Sequence, residues 1–224
     1  MIKAILFDYD GVLVDSLDIM WKAYKEVAKL IGYNMRYRRK KNFLDNDWNI
    51  TLKRMGVTKK NYDEALKVWY DYYYEHEPHA KVFEGMRPVL TELGKRYKLG
   101  VASDNRTVRI KKKLDEHKLT KYFDAISGKN SIESMEKRKP NPVGIRNALK
   151  KLKVKPSEAV YVGDMDDDIG AAHNAGLKMV IGVTYGFHTK KRLVGADANA
   201  DKPEDILRII RKAEQGKKAE ARKE

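Results

Sequence analysis

Apolar residues fill positions 2–7 except for Lys3, and the run stops abruptly on Asp8. A short apolar block of this kind, ended by polar residues, predicts a buried strand. Over 17–31 the pattern changes to helical spacing, with Ile19, Met20, Ala23, Tyr24, Val27, Leu30 and Ile31 on one side and Gly32 as the stop. Two more helical segments follow, 47–55 and 62–74, separated by Gly56 and the polar turn Thr58-Lys59-Lys60-Asn61. From Met86 onward strands and helices alternate: helix 89–97, strand 98–102, helix 108–116, strand 123–127, helix 143–152, strand 159–162, helix 169–175, strand 179–183 and a closing helix 203–213. The polar tail from Glu214 is expected to fray. Alternation of this kind predicts an α/β fold, a doubly wound, Rossmann-like parallel sheet. The helix-only stretch between its first two strands predicts an inserted helical module. The expected division is a core of residues 1–15 and 86–224 with an insertion, hinges included, of residues 16–85.

In a doubly wound sheet the ligand lies beyond the carboxyl ends of the strands, so the residues there are the candidates for chemistry. The first strand is followed by Asp8 and Asp10, and Gly11 permits a sharp turn. Residues i and i+2 of an extended chain point the same way, so these two carboxylates face one spot. The pair reads equally well as a solvated turn or as a reactive couple. The strand ending at Ala102 is followed by Ser103, Asp104 and Asn105, and the one ending at Val162 by Gly163, Asp164, Asp166, Asp167 and Asp168. Several carboxylates gathered in one crevice imply a hard cation with oxygen ligands, and Mg2+ suits a site that also takes phosphate oxygens. Lys139, in Lys137-Arg138-Lys139-Pro140-Asn141-Pro142, is the candidate positive group. Asp166 and Asp167 read equally as charges complementing a helix N-terminus.

Composition narrows the setting. The chain has 224 residues, 42% hydrophobic and 35% charged, with no cysteine and a single glutamine, Gln215. Absence of cysteine excludes disulfides and thiolate metal sites and fits a cytoplasmic protein. No apolar stretch is long enough to span a membrane, and no signal peptide is expected. The Lys/Glu-rich, Gln/Cys-poor balance is that of a thermophile. A net charge of +15 raises the alternative of a non-catalytic nucleic-acid-binding protein. Residues 16–84 carry 14 Lys and Arg against 10 Asp and Glu, and the remaining surplus sits in 109–113, 150–155 and the tail from Arg208. Those stretches read as outer helix faces, so a solvated surface is the expectation and nucleic acid is not the expected partner.

Four motifs occur in order: Asp8-x-Asp10-Gly-x-x-x-Asp15-Ser16; an apolar strand ending at Ser103; Lys139-Pro-x-Pro; and Gly163-Asp164-x-x-x-Asp168-x-x-Ala171-Ala172-x-x-Ala175-Gly176. Together they resemble the haloacid dehalogenase superfamily, in its phosphatase branch with a small helical cap, similar to phosphoglycolate phosphatases. The segment Phe83-Glu84-Gly85-Met86 resembles the return from cap to core. The resemblance implies Asp8 as the nucleophile that becomes an aspartyl-phosphate and Asp10 as general acid/base. It implies Ser103, with Asp104 beside it, and Lys139 as the substrate-binding set. Mg2+ would be held by Asp8, Asp10 and Asp164, with Asp168 supporting. Asp15 and Ser16 are expected to cap the first helix of the insertion. Asp10 speaks against a hydrolytic dehalogenase, which lacks the second carboxylate. A sugar-phosphate mutase and a pyrophosphatase of the same family stay as alternatives, the mutase weakened because Met20 stands where its pattern has His. The basic run 36–41 would imply an anionic leaving group if it faced the crevice, and otherwise an exposed loop. Trp69, Tyr72 and Tyr73 are expected to form the packing face of the cap. The expected substrate is a small phosphorylated metabolite, and the expected assembly a monomer or homodimer.

Overall fold

The computed structural model describes residues 1–36, 40–45, 47–130 and 137–220. The central strand β1 (Ala4–Phe7) is fully buried along its length, as its unbroken apolar sequence requires. It lies between β4 (Lys98–Arg106) and β6 (Ala159–Gly163), parallel to both, with Phe7 beside Val101 and Val162. Outside them come β5 (Ala125–Lys129) on one edge and β7 (Met179–Val183) then β8 (Ala198–Ala200) on the other, giving a six-stranded parallel sheet in the order β5-β4-β1-β6-β7-β8. The doubly wound α/β architecture is therefore present. One face is covered by α4 (Met86–Gly94), α5 (Thr107–Glu116) and α8 (Pro203–Glu220) through Leu90, Ile110, Leu114, Ile206 and Ile210. The other is covered by α6 (Val143–Leu152) and α7 (Asp166–Ala175) through Ile145, Leu149, Ile169 and Ala172.

The chain leaves and re-enters the sheet layer through a two-stranded antiparallel ribbon, β2 (Val14–Asp15) with β3 (Lys81–Val82). Between them lie α1 (Leu17–Ile31), α2 (Trp48–Arg54) and α3 (Tyr62–His76), which gather a third hydrophobic cluster of their own. Trp69 stacks on Tyr73 with centroids 4.8 Å apart, and Trp21 meets Phe43 edge-on at 5.5 Å. Two residues from beyond the insertion, Met165 and Phe187, complete this cluster.

Several elements depart from the hydrophobic pattern. β4 continues past the expected end at Ala102 to Arg106, with its register against β5 shifting between those residues, so Ser103–Asp104–Asn105 occupy an irregular stretch of strand. β8 went unpredicted because Ala-Asn-Ala carries no β-branched residue. α7 starts at Asp166 rather than at the first apolar residue, because its first turn is entirely acidic. α8 runs past its expected end at Ala213 to Glu220, in keeping with the helix propensity of Ala, Glu, Gln and Lys, and 221–224 lie outside the described residues.

Candidate active site

Asp8 follows β1 directly, and its N–H donates to Val162 O at 2.9 Å, which fixes it above the sheet edge. Gly11 turns the loop back, its N–H donating to Val14 O at 2.9 Å. Its φ of 76° favours glycine, and a Cβ there would fall 2.1 Å from Asp164 Oδ2. The loop after β1 and the one after β6 are thus in contact, and only glycine fits between them. Asp164 is fully buried. Its Oδ2 accepts from Phe187 N–H at 2.7 Å, while its Oδ1 has no hydrogen-bond partner.

Lys139 Nζ sits 3.0 Å from Asp8 Oδ1 and 2.7 Å from Asp168 Oδ1, and donates to Tyr161 OH at 2.7 Å. Tyr161 OH in turn donates to Ala102 O at 2.8 Å, pinning the cluster to β4. Asp168 Oδ2 accepts from the N–H groups of Asp164 and Met165, both at 3.0 Å, the reach-back of a capping box at the start of α7. Both Asp168 oxygens are committed, which makes it a scaffold for Lys139 and for the Asp164 loop. Burial, against the pull of Lys139, lifts the Asp8 carboxyl to about 7. Burial, with Asp168 and Asp8 nearby, lifts Asp164 well above the carboxylate range. Burial works against charge on Lys139 too, but Asp168 and Asp8 outweigh it and keep it protonated. Asp8, Asp164 and Asp168 each offer an oxygen within 4.8 Å of the others, so three carboxylates face one ammonium. Three acidic groups whose protons a divalent cation would displace, together with the orphaned Asp164 Oδ1, fit such a cation with oxygen ligands.

Asp10 has a separate set of partners. Its Oδ1 accepts from Ser16 Oγ at 2.8 Å and from Tyr73 OH at 3.3 Å, and its Oδ2 from Asn105 Nδ2 at 2.6 Å. Lys113 Nζ lies 3.8 Å from Oδ2, donates to Tyr73 OH at 3.2 Å, and pairs with Glu77, which also pairs with Arg109. Three expectations change here. Ser16 occupies the N-cap position of α1 but makes no side-chain cap; its hydroxyl is spent on Asp10. Lys113, expected on an outer helix face, is buried and turned to the crevice together with Arg109, four residues earlier on the same side of α5. Tyr73 does pack in the insertion's cluster, yet its hydroxyl reaches the site.

Ser103 is buried at the end of β4's regular stretch. The Asp104 side chain accepts from Lys139 N–H at 3.0 Å and pairs with Lys129 at 3.1 Å, so its carboxylate ties β4 to the Lys139 loop. Tyr73, Lys113 and Tyr161 were not among the expected site residues, and Asn105, which follows the strand expected over 98–102, was assigned no role. In the basic run, Lys40 pairs with Asp18 and Lys41 Nζ donates to Thr184 O at 2.6 Å, while 37–39 lie outside the described residues.

The segment after β7 clasps the insertion from the far side. The fully buried His188 accepts from Asp166 N–H at Nδ1 (3.2 Å), which leaves Nε2–H to meet Leu44 O at 3.1 Å. Burial lowers its pKa and keeps it neutral. Arg192 binds Asp166 and Asp45, and Thr189 pairs with Asn42.

The chain is similar to known proteins over most of its length. The chain is 26% identical over 214 residues, 93% of its length and 97% of the relative's, to the pyrophosphatase PpaX of Bacillus mycoides. It is 25% identical over 224 residues, 93% of its length and 96% of the relative's, to a phosphoglycolate phosphatase of Vibrio parahaemolyticus. The crystal structure of a predicted phosphatase from Clostridium acetobutylicum superposes with a TM-score of 0.78 at 27% identity, covering 95% of this chain and 99% of that one. Residues 5–182 match the family model of the haloacid dehalogenase-like hydrolases, and the chain belongs to that family.

Proposed function

We propose that the protein is a Mg2+-dependent phosphatase that hydrolyses a small phosphorylated metabolite through an aspartyl-phosphate on Asp8. The observation that carries this reading is the division of the crevice: Asp8 beside Lys139 and the orphaned Asp164 oxygen, with Asp10 two residues on and held apart by its own donors. Asp8 attacks phosphorus, and the bond to the leaving oxygen breaks as Asp10 hands that oxygen a proton. Asp10 then takes a proton from the water that attacks the aspartyl-phosphate, which releases phosphate and restores Asp8. Ser103 and Lys139 bind the phosphoryl oxygens and offset their charge in the transition state. Asp8, Asp164 and the Asp10 backbone carbonyl would hold Mg2+, which supplies charge neutralisation at the phosphoryl group. Asp168 and Asp104 fix Lys139 from either side.

The insertion of residues 16–85 acts in this reading as the cap. Tyr73 and Glu77 project from it to within bonding distance of core residues around Asp10, which supports a small leaving group. Phosphoglycolate-like monoesters are the first substrate class, and pyrophosphate the second, favoured by the full-length likeness to a pyrophosphatase. The test is p-nitrophenyl phosphate hydrolysis with Mg2+ or EDTA, for wild type and Asp8→Asn. Loss of at least about 10³-fold in the variant is expected, and undiminished turnover overturns the mechanism. A panel of phosphorylated metabolites scored by kcat/KM then names the substrate.

A further inference from the structure

The two carboxylates of the opening motif live in different electrostatic surroundings. Around Asp8 the carboxylates outnumber the single ammonium. Around Asp10 the charges balance: Asp10 and Glu77 stand against Lys113 and Arg109, with no deficit for a cation to fill. Lys113 is 3% exposed and has no place in the phosphoryl-binding set; its ammonium also lies 4.9 Å from the Tyr9 ring and 5.4 Å from the Tyr73 ring. A buried lysine is costly unless it is paired, so its retention at this spot needs a reason.

The partners show one. Lys113 Nζ donates to Tyr73 OH at 3.2 Å, which leaves the single phenolic hydrogen to be shared by Asp10 Oδ1 at 3.3 Å and Glu77 Oε1 at 3.2 Å. Tyr73 is itself fixed by stacking on Trp69. Asn105 and Ser16 hold Asp10 from the core and the ribbon, so Tyr73 is the donor that comes from α3 of the insertion. We propose that Tyr73 and Lys113 are positioning residues for Asp10, a polar bridge from cap to core that aims its carboxyl at the leaving oxygen. This rests on the phosphatase reading above, in which Asp10 is the general acid.

Aim at the leaving oxygen matters most when that oxygen is a poor leaving group, because a proton must then reach it in the transition state. The experiment is therefore a leaving-group series, from p-nitrophenyl phosphate to glycerol phosphate, measured for Tyr73→Phe, Lys113→Met and the double variant. Tyr73→Phe removes one oxygen and keeps the stacked ring, and unchanged thermal melting confirms its fold. The expected result is a loss of about 10–100-fold in kcat for the alkyl ester and less than about 3-fold for p-nitrophenyl phosphate. The double variant should lose little more than the worse single one, because both act through one carboxyl. Equal losses across the series, or none, overturn the inference. Asp8→Asn separates the two levels: if it retains turnover, the phosphatase reading and this inference both fall. If it is inactive while Tyr73→Phe shows a flat series, only the positioning role falls.

Discussion

At the end of β1, burial governs the proton on Asp8. Asp8, raised to about 7 by burial, holds its proton more tightly in the folded chain than at its ordinary 3.8. Its folded pKa lies above the unfolded one, so its contribution to stability is fully present below about pH 3.8 and is lost by about pH 7. In EDTA, Asp8→Asn should match wild type near pH 4 and exceed it increasingly toward pH 7. The gain should reach at least about 1 kcal/mol, roughly 2–4 °C for a chain of this length. Mg2+ should then raise the Tm of wild type and leave that of the variant nearly unchanged. A pH-independent difference in Tm between the two would show that the carboxyl is not buried at a cost. Asp8, Asp10 and Asp164 stood out in the sequence because they follow strands, and Lys139 because of the motif Lys139-Pro-Asn-Pro ahead of α6. Asn105 also follows an expected strand but was given no role, because an amide side chain does not by itself point to chemistry. Lys113 was expected on an outer face although it stands three residues after Ile110, on the side of α5 that Ile110 and Leu114 bury, because its charge outweighed its spacing.

At the scale of elements, the least readable segment is the one after β7. Gly186, Phe187 and His188 have no periodicity, yet they join the two halves of the crevice. A Cβ on Gly186 would lie 2.5 Å from Gly11 O, so this loop is pressed against the Asp8–Asp10 turn. Phe187 donates its N–H to Asp164 and buries its ring in the cluster of the insertion. Phe187→Ala removes a buried ring that the surrounding helices cannot easily replace, and should cost about 3–5 kcal/mol. Thermal melting measures this, and a drop of less than about 3 °C would show that the insertion's cluster does not depend on it. The local patterns of α1, α3 and α6 were legible because each keeps one apolar face. The apolar pattern of 98–102 stops short of the end of β4 at Arg106, because the strand's polar end faces the crevice rather than the core.

For the whole molecule, the basic surplus is divided by the fold. α5 and α8 lie on one face of the sheet and α6 on the other, and Arg109 and Lys113 are consumed in the crevice. Among the described residues, these stretches are therefore split between the two faces of the sheet and the crevice. Retention on immobilised DNA should vanish below about 0.2 M salt, and retention above it would favour a nucleic-acid partner. Among the described residues no helix is long and apolar enough to cross a membrane.

The sequence by itself determined the α/β alternation, the inserted helices and the order of Asp8, Asp10, Ser103, Lys139 and Asp164, because hydrophobic period, the residues after a strand and a short motif such as Lys139-Pro-Asn-Pro are local properties. Only the tertiary structure decided that Ser16, Tyr73, Asn105 and Lys113 converge on Asp10, and that the loop after β7 binds the insertion. Those contacts join residues up to about 150 positions apart, as between Asn42 and Arg192. Their partners are chosen by the packing of helix faces and loops across the crevice, which no local pattern records.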